Sequence, residues 1–168
     1  ITAGIRGEFL NARYQNRTPG FEDDWLEKDT RIWLPGISAF YKLSNTSGLL
    51  FGVHEGFVPT SPQESPSVQI ENSVNYEFGG RYANNGTKME LVGFFGDFSN
   101  LKESCTFSAS SSCSTQIDQE FNGGEVDVYG IEFTAEHTVA LNSAFDVPLS
   151  LVYTYTGSEF KSSFISDF

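Results

Sequence analysis

The stretch that most restricts the fold runs from Gly123 to Leu141, GGEVDVYGIEFTAEHTVAL. From Tyr129 onward it alternates. Tyr129, Ile131, Phe133, Ala135, Val139 and Leu141 fall on one side, with His137 the only interruption, and Glu132, Thr134, Glu136, Thr138 and Ala140 fall on the other. Successive side chains of a strand point to opposite faces, so the segment predicts a strand with one apolar and one polar face. Most globular strands have about 5–6 residues, whereas a tilted strand crosses a bilayer with about 9–11. Length and alternation together predict a strand of a membrane barrel.

Other segments repeat the pattern. Ile1, Ala3, Ile5 and Phe9 oppose Thr2, Gly4, Arg6 and Glu8; Ile37, Ala39, Tyr41 and Leu43 oppose Ser38, Phe40 and Lys42. Tyr76, Phe78 and Tyr82 oppose Asn75, Glu77 and Arg81; Leu149, Leu151, Tyr153 and Tyr155 oppose Ser150, Val152, Thr154 and Thr156. Two further strands, Leu49 to Val58 and Lys88 to Asn100, carry apolar residues on both faces, so the sequence leaves their orientation open. Between strands, long polar loops (Gln15 to Asp29, Pro59 to Glu71, Leu101 to Asn122, and the tail from Gly157) alternate with short turns at Ser44 to Gly48, Asn84-Asn85-Gly86 and Asn142 to Asp146. Asn and Gly accept positive φ cheaply, which suits a tight hairpin. Short turns at one end and long loops at the other characterise outer-membrane barrels. The expected fold is therefore all-β: an antiparallel meander of about seven strands forming part of a transmembrane β-barrel. Bacterial single-chain barrels use an even number of strands from 8 upward, so these strands are not expected to close one by themselves.

Bulk composition is compatible with that fold. Hydrophobic residues make up 39% of the 168-residue chain, a value that alone reads as soluble, but barrel strands need only half an apolar sequence. No run approaches the ~20 apolar residues of a membrane helix. Aromatic residues reach 15%, and they favour strands and membrane interfaces. A net charge of −12 argues against nucleic acid, which requires clustered Lys and Arg. The chain opens inside an apparent strand with no starting Met, so it is expected to be either processed or cut from a larger protein, the second being favoured.

Five blocks carry a family likeness: PGISAFYKL (Pro35–Leu43), GVHEGFVPTSP (Gly52–Pro62), NYEFGGRY (Asn75–Tyr82), FNGGEVDVYGIEF (Phe121–Phe133) and LSLVYTYTGSEF (Leu149–Phe160). Their order and spacing resemble TonB-dependent outer-membrane receptors, with wording closest to the ferric-citrate-receptor-like branch. The resemblance covers nearly all of residues 1–168. It implies a central-to-late portion of a 22-stranded, plugged barrel, without the plug domain, the segment that engages TonB and the remaining strands. It further implies a bacterial outer-membrane location, active uptake of a ferric chelate such as ferric citrate, and no enzymatic chemistry.

Arg6, Glu8, Lys42, Glu77, Arg81, Glu132 and Glu136 fall on the expected polar face. Arg or Lys facing lipid near the midplane would cost about 2–4 kcal/mol, so these charges are expected to face the lumen. There they would pair with one another or with the plug, or Arg6 and Arg81 would clamp an anionic chelate. Cys105 and Cys113 share one loop and are expected to form a disulfide, since the outer surface is oxidising; closing so small a loop stabilises by roughly 2.5 kcal/mol in the chain-entropy model. His54 and His137, the only histidines, sit in no nucleophile motif and are expected to line the lumen or an interface. Phe21, Trp25 and Trp33 border the first long loop, as an outer aromatic girdle or as a cover over ligand. Two other readings stay open: a passive porin-like channel, which needs no plug, and a soluble β-sandwich binding module, which needs a second sheet.

Overall fold

The computed structural model describes residues 1–20, 23–104, 120–142 and 144–161. It contains seven strands: β1 (Thr2–Tyr14), β2 (Leu26–Lys42), β3 (Ser47–Val58), β4 (Glu71–Asn84), β5 (Thr87–Ser104), β6 (Glu120–Asn142) and β7 (Phe145–Phe160). They form one antiparallel sheet in sequence order, β1-β2-β3-β4-β5-β6-β7. β1 and β7 are its two margins, so the sheet is not closed by pairing between them.

No second sheet or helix covers either face among the described residues. Only Leu34, Val68 and Val126 are buried hydrophobic residues there, while Ile5, Ile37, Phe78, Leu91, Leu151 and Tyr155 are each at least half exposed. A soluble sandwich would bury that row between two sheets, so the sandwich reading is overturned. Strand length points the same way. The shortest strand, β3, has 12 residues. It extends about 40 Å, or about 28 Å at a tilt of about 45°, against an apolar band about 25 Å tall in outer-membrane barrels.

Register settles the two strands whose faces could not be separated. Leu49, Phe51 and Val53 of β3 stand opposite Gly80, Phe78 and Tyr76 of β4. Met89, Leu91, Gly93 and Phe95 of β5 stand opposite Ala135, Phe133, Ile131 and Tyr129 of β6. Directly opposed residues share a face, so these join the apolar stripe that continues through Leu149, Leu151, Tyr153 and Tyr155 of β7. Leu50, Val92, Phe94 and Phe98 lie on the polar face, which is why alternation fades in these strands.

Towards the long loops the apolar stripe gives way to polar and charged residues. One row of register holds Glu55, Asp97, Asp127 and Glu159, with the apolar Val74 of β4 among them; in β1 and β2 the stripe runs on to Phe9 and Trp33 before Asn11 and Arg31 follow. Strands nevertheless run on past this edge, and there the expected boundaries need correcting. β2 begins at Leu26 rather than after Asp29, because polar side chains pair across it: Arg13 bonds Glu27 at 3.1 Å and Asn11 donates to Asp29 at 2.7 Å. β5 and β6 reach Ser104 and Glu120, into the expected third loop. Their ladder shifts register between Phe98 and Lys102, where Asn100 and Gly124 take φ of 57° and 129°. An extra residue breaks the period-two pattern, so the continuation is illegible by alternation. β7 likewise extends to Phe160, beyond the expected start of the tail at Gly157.

The short turns are built as their residues dictate. Asn85 and Gly86 both take positive φ, 43° and 78°, as a two-residue hairpin of matching twist requires. At Ser44 to Ser47 the Ser44 hydroxyl accepts the N–H groups of Thr46 and Ser47, each at 3.1 Å.

Candidate functional site

Seven charged residues were expected on one face, and register places them there together. Arg6 and Glu8 oppose Leu34 and Ile32. Lys42 opposes Gly48, which opposes Arg81, which opposes Glu90. Glu77 opposes Gly52 and Phe94; Glu132 opposes Val92, and Glu136 opposes Lys88. This face is the candidate site.

Among the described residues three ion pairs lie on it. Arg6 holds Glu8 at 2.9 Å, Arg81 pairs with Glu90, and Lys88 approaches Glu136 at 3.6 Å. The cations and Glu136 are exposed and Glu8 and Glu90 half-buried, so each pair is worth about 0–1 kcal/mol and can be exchanged for another partner at small cost. Lys42, Glu77 and Glu132 make no ion pair among the described residues. Glu90 and Lys88 were not singled out from sequence; their strand alternates poorly, and only register brings them beside Arg81 and Glu136.

Glu77 and Glu132 border a depression of about 220 Å³ that also contains His54, Asn75, Phe94 and Phe98. Asn75 Nδ2 donates to Ser73 Oγ at 3.0 Å, which turns the carboxamide along β4. Gly96 lines the depression, and a Cβ there would come within 2.7 Å of the Phe98 ring. The result is an acidic recess with aromatic walls and one imidazole. It can accept hydrogen bonds and stack on a ligand, but it holds no nucleophile aligned with a base. His137 lies apart, on the apolar face near a short turn, with Nδ1 2.7 Å from Thr87 Oγ1.

Above the recess the second long loop is tied to β5 and β6. Lys102 Nζ donates to Pro59 O at 2.9 Å and pairs with Glu64 at 3.1 Å, both side chains being largely buried. Asn122 accepts the Gln69 N–H at 2.7 Å and donates to Gln69 O at 3.1 Å and Asn100 O at 2.8 Å. One carboxamide thus serves the loop as a strand neighbour would. The contacts bridge residues far apart in sequence, and no local pattern marks them.

At the band edge Lys161 Nζ sits between Asp97 at 2.8 Å and Asp127 at 2.9 Å, tying the end of β7 to β5 and β6. Hydrogen bonds to Asp97 and then Asp127 hold its pKa above the ordinary lysine range. Trp33 lies on the apolar face, edge-on to Phe9 at 5.6 Å and one step inside Arg31. Arg17 lies over the Trp25 ring at 5.7 Å. Cys105, Cys113 and Phe21 lie outside the described residues.

Comparisons with known proteins bear on this arrangement. A search of curated protein sequences finds no match. Solved structures share the fold. The ferric yersiniabactin uptake receptor FyuA of Yersinia pestis matches with a TM-score of 0.67 at 20% identity, over 95% of this chain and 24% of that one. The siderophore receptor PirA of Pseudomonas aeruginosa matches with a TM-score of 0.62 at 19% identity, over 94% and 35%. The FrpB iron transporter of Neisseria meningitidis matches with a TM-score of 0.62 at 10% identity, over 80% and 21%. The chain therefore spans between about a fifth and about a third of the length of these proteins. The sequence profile of the TonB-dependent receptor-like β-barrel matches residues 1–167. An open seven-stranded meander with a lipid-compatible face and a charged face is what a portion of such a barrel must be, and the chain belongs to the TonB-dependent receptor β-barrel family of the bacterial outer membrane.

Proposed function

We propose that the receptor to which this sheet belongs imports a ferric chelate through the outer membrane, with ferric citrate the foremost candidate. The observation that carries the reading is one sheet with an apolar stripe along one face and every singled-out charge on the other. A barrel wall needs this division, with hydrocarbon outside and a polar lumen inside. Residues 1–168 then supply seven strands of the wall, and the remaining strands, the plug and the TonB-engaging segment come from other parts of the protein. Three neighbours in fold are described as an iron transporter, a ferric yersiniabactin uptake receptor and a siderophore receptor, which supports iron chelates as a class. Citrate rests on the wording of the sequence blocks alone.

Arg6, Glu8, Lys42, Glu77, Arg81, Glu132 and Glu136 then face the lumen. Lys42, which makes no ion pair among the described residues, is a cation available to an anionic chelate; Arg6 and Arg81 can be drawn from their half-buried glutamates. The receptor binds and conveys its ligand and breaks no covalent bond. The test is radioiron uptake by iron-starved cells lacking the receptor and complemented with the full-length gene. Uptake from ferric citrate should require both the receptor and TonB. Uptake that persists without TonB would establish a passive pore instead. TonB-dependent uptake of another chelate, with citrate ignored, would refute citrate and leave the class standing.

A further inference from the structure

The apolar face carries a groove of about 610 Å³ centred on Gly93 and Gly80. Phe78 and Ile131 stand on either side of Gly93, and Leu49 and Leu91 on either side of Gly80. Towards the long loops Tyr76 and Phe95, with ring centroids 6.2 Å apart, form the end wall beside Tyr129.

A glycine inside a strand marks a bulge, a bend, or the close approach of another backbone or a ligand. The ladder runs in unbroken register through Gly80 and Gly93, and neither has positive φ. A Cβ at Gly93 would lie 3.7 Å from the nearest neighbour, Phe78 O, and one at Gly80 3.9 Å from Gly48 O, both ordinary contacts. Two other glycines show the contrast. A Cβ at Gly79 would run into the Leu91 carbonyl, and one at Gly130 into the Tyr155 carbonyl. The chain itself therefore leaves room for side chains at Gly80 and Gly93, and their absence is what makes the groove.

We infer that this groove seats one acyl chain of an outer-leaflet lipid. It lies within the stripe that hydrocarbon covers in an outer-membrane barrel, so its occupant is drawn from the bilayer. Its walls are aromatic and aliphatic, and an empty trough would forfeit dispersion contacts along its lining. It abuts the edge of the stripe on the long-loop side, since Asp97 and Asp127 follow Phe95 and Tyr129 on the same face. Long loops are extracellular, which assigns the groove to the outer leaflet. The inference depends on the membrane location and not on which chelate is carried.

The experiment uses the full-length receptor in asymmetric vesicles whose outer leaflet contains a lipid with a diazirine in its acyl chain. Illumination and peptide mapping give the distribution of adducts. Peptides bearing Phe78, Leu91 and Ile131 should carry several-fold more adduct than those bearing Ile5 and Ile37, which lie on the same face away from the groove. Gly80→Leu with Gly93→Leu, which fills the trough, should abolish the excess, while Ala39→Leu should leave it. Radioiron uptake by the filled variant reports folding separately. If that variant does not fold, the wild-type distribution decides alone. Adducts spread evenly along the apolar face, or an excess that survives filling, would overturn the inference.

Discussion

Leu151 and Val152 are neighbours on β7, 58% and 71% exposed, so neither is held by much protein. Register puts Leu151 opposite Ala135 on the apolar face and Val152 opposite Thr134 on the charged face. Leu151 is also midway along its stripe, which runs from Val147 to Tyr155. Arginine at Leu151 should therefore meet hydrocarbon near the midplane and cost about 2–4 kcal/mol, a roughly 30- to 1,000-fold loss in the folding equilibrium constant. Arginine at Val152 meets the lumen and should stay within about 0.5 kcal/mol of the parent. Both substitutions add the same charge to the same strand, so strand propensity and net charge largely cancel and the difference reports the surroundings. Urea unfolding of the full-length receptor in lipid vesicles, followed by tryptophan fluorescence, measures it. Equal losses, or a larger loss at Val152, would refute the assignment of faces on which the transport reading stands.

Asn122→Ala removes three hydrogen bonds that tie down the second long loop; at about 0.5–1.5 kcal/mol each, limited proteolysis between Pro59 and Ile70 should accelerate while barrel unfolding changes little. Lys161→Met should speed amide exchange at the end of β7, near Gly157 to Phe160. The Lys161 pKa is raised in the folded state, so the stability it adds is fully present below the ordinary lysine pKa and fades only as pH rises through the raised value; exchange protection attributable to Lys161 that fell away between neutral pH and pH about 9 would contradict the latch. Gly130→Ala should destabilise by about 1–3 kcal/mol, because the new methyl meets the Tyr155 carbonyl and the Phe94 ring. Gly80→Ala should be tolerated, and the two can be ranked by the same urea series.

Alternation is a property of adjacent residues, and it is legible wherever one face is apolar throughout. The segment from Tyr129 to Leu141, the pairs of faces in β1, β2, β4 and β7, the Asn85-Gly86 hairpin and the long-and-short loop rhythm could all be read from the chain alone. So could the shared face of Arg6, Glu8, Lys42, Glu77, Arg81, Glu132 and Glu136, because each adjoins at least one apolar residue of an alternating run. Register is different in kind. It belongs to pairs of strands, and only it shows that Leu49 and Leu91 join the stripe while Leu50, Val92 and Phe94 turn inward. The same holds for the Asn100–Gly124 bulge, whose extra residue cancels the local period, and for β2 below Arg31, where a cross-strand ion pair and a hydrogen bond sustain a strand that reads as polar loop. Lys102 with Glu64, and Asn122 with Gln69, are joined across dozens of residues by the folding of the sheet. One residue of alternation is enough to sort a side chain to lipid or lumen, but partners are chosen by the strand next door, and that choice is made only in three dimensions.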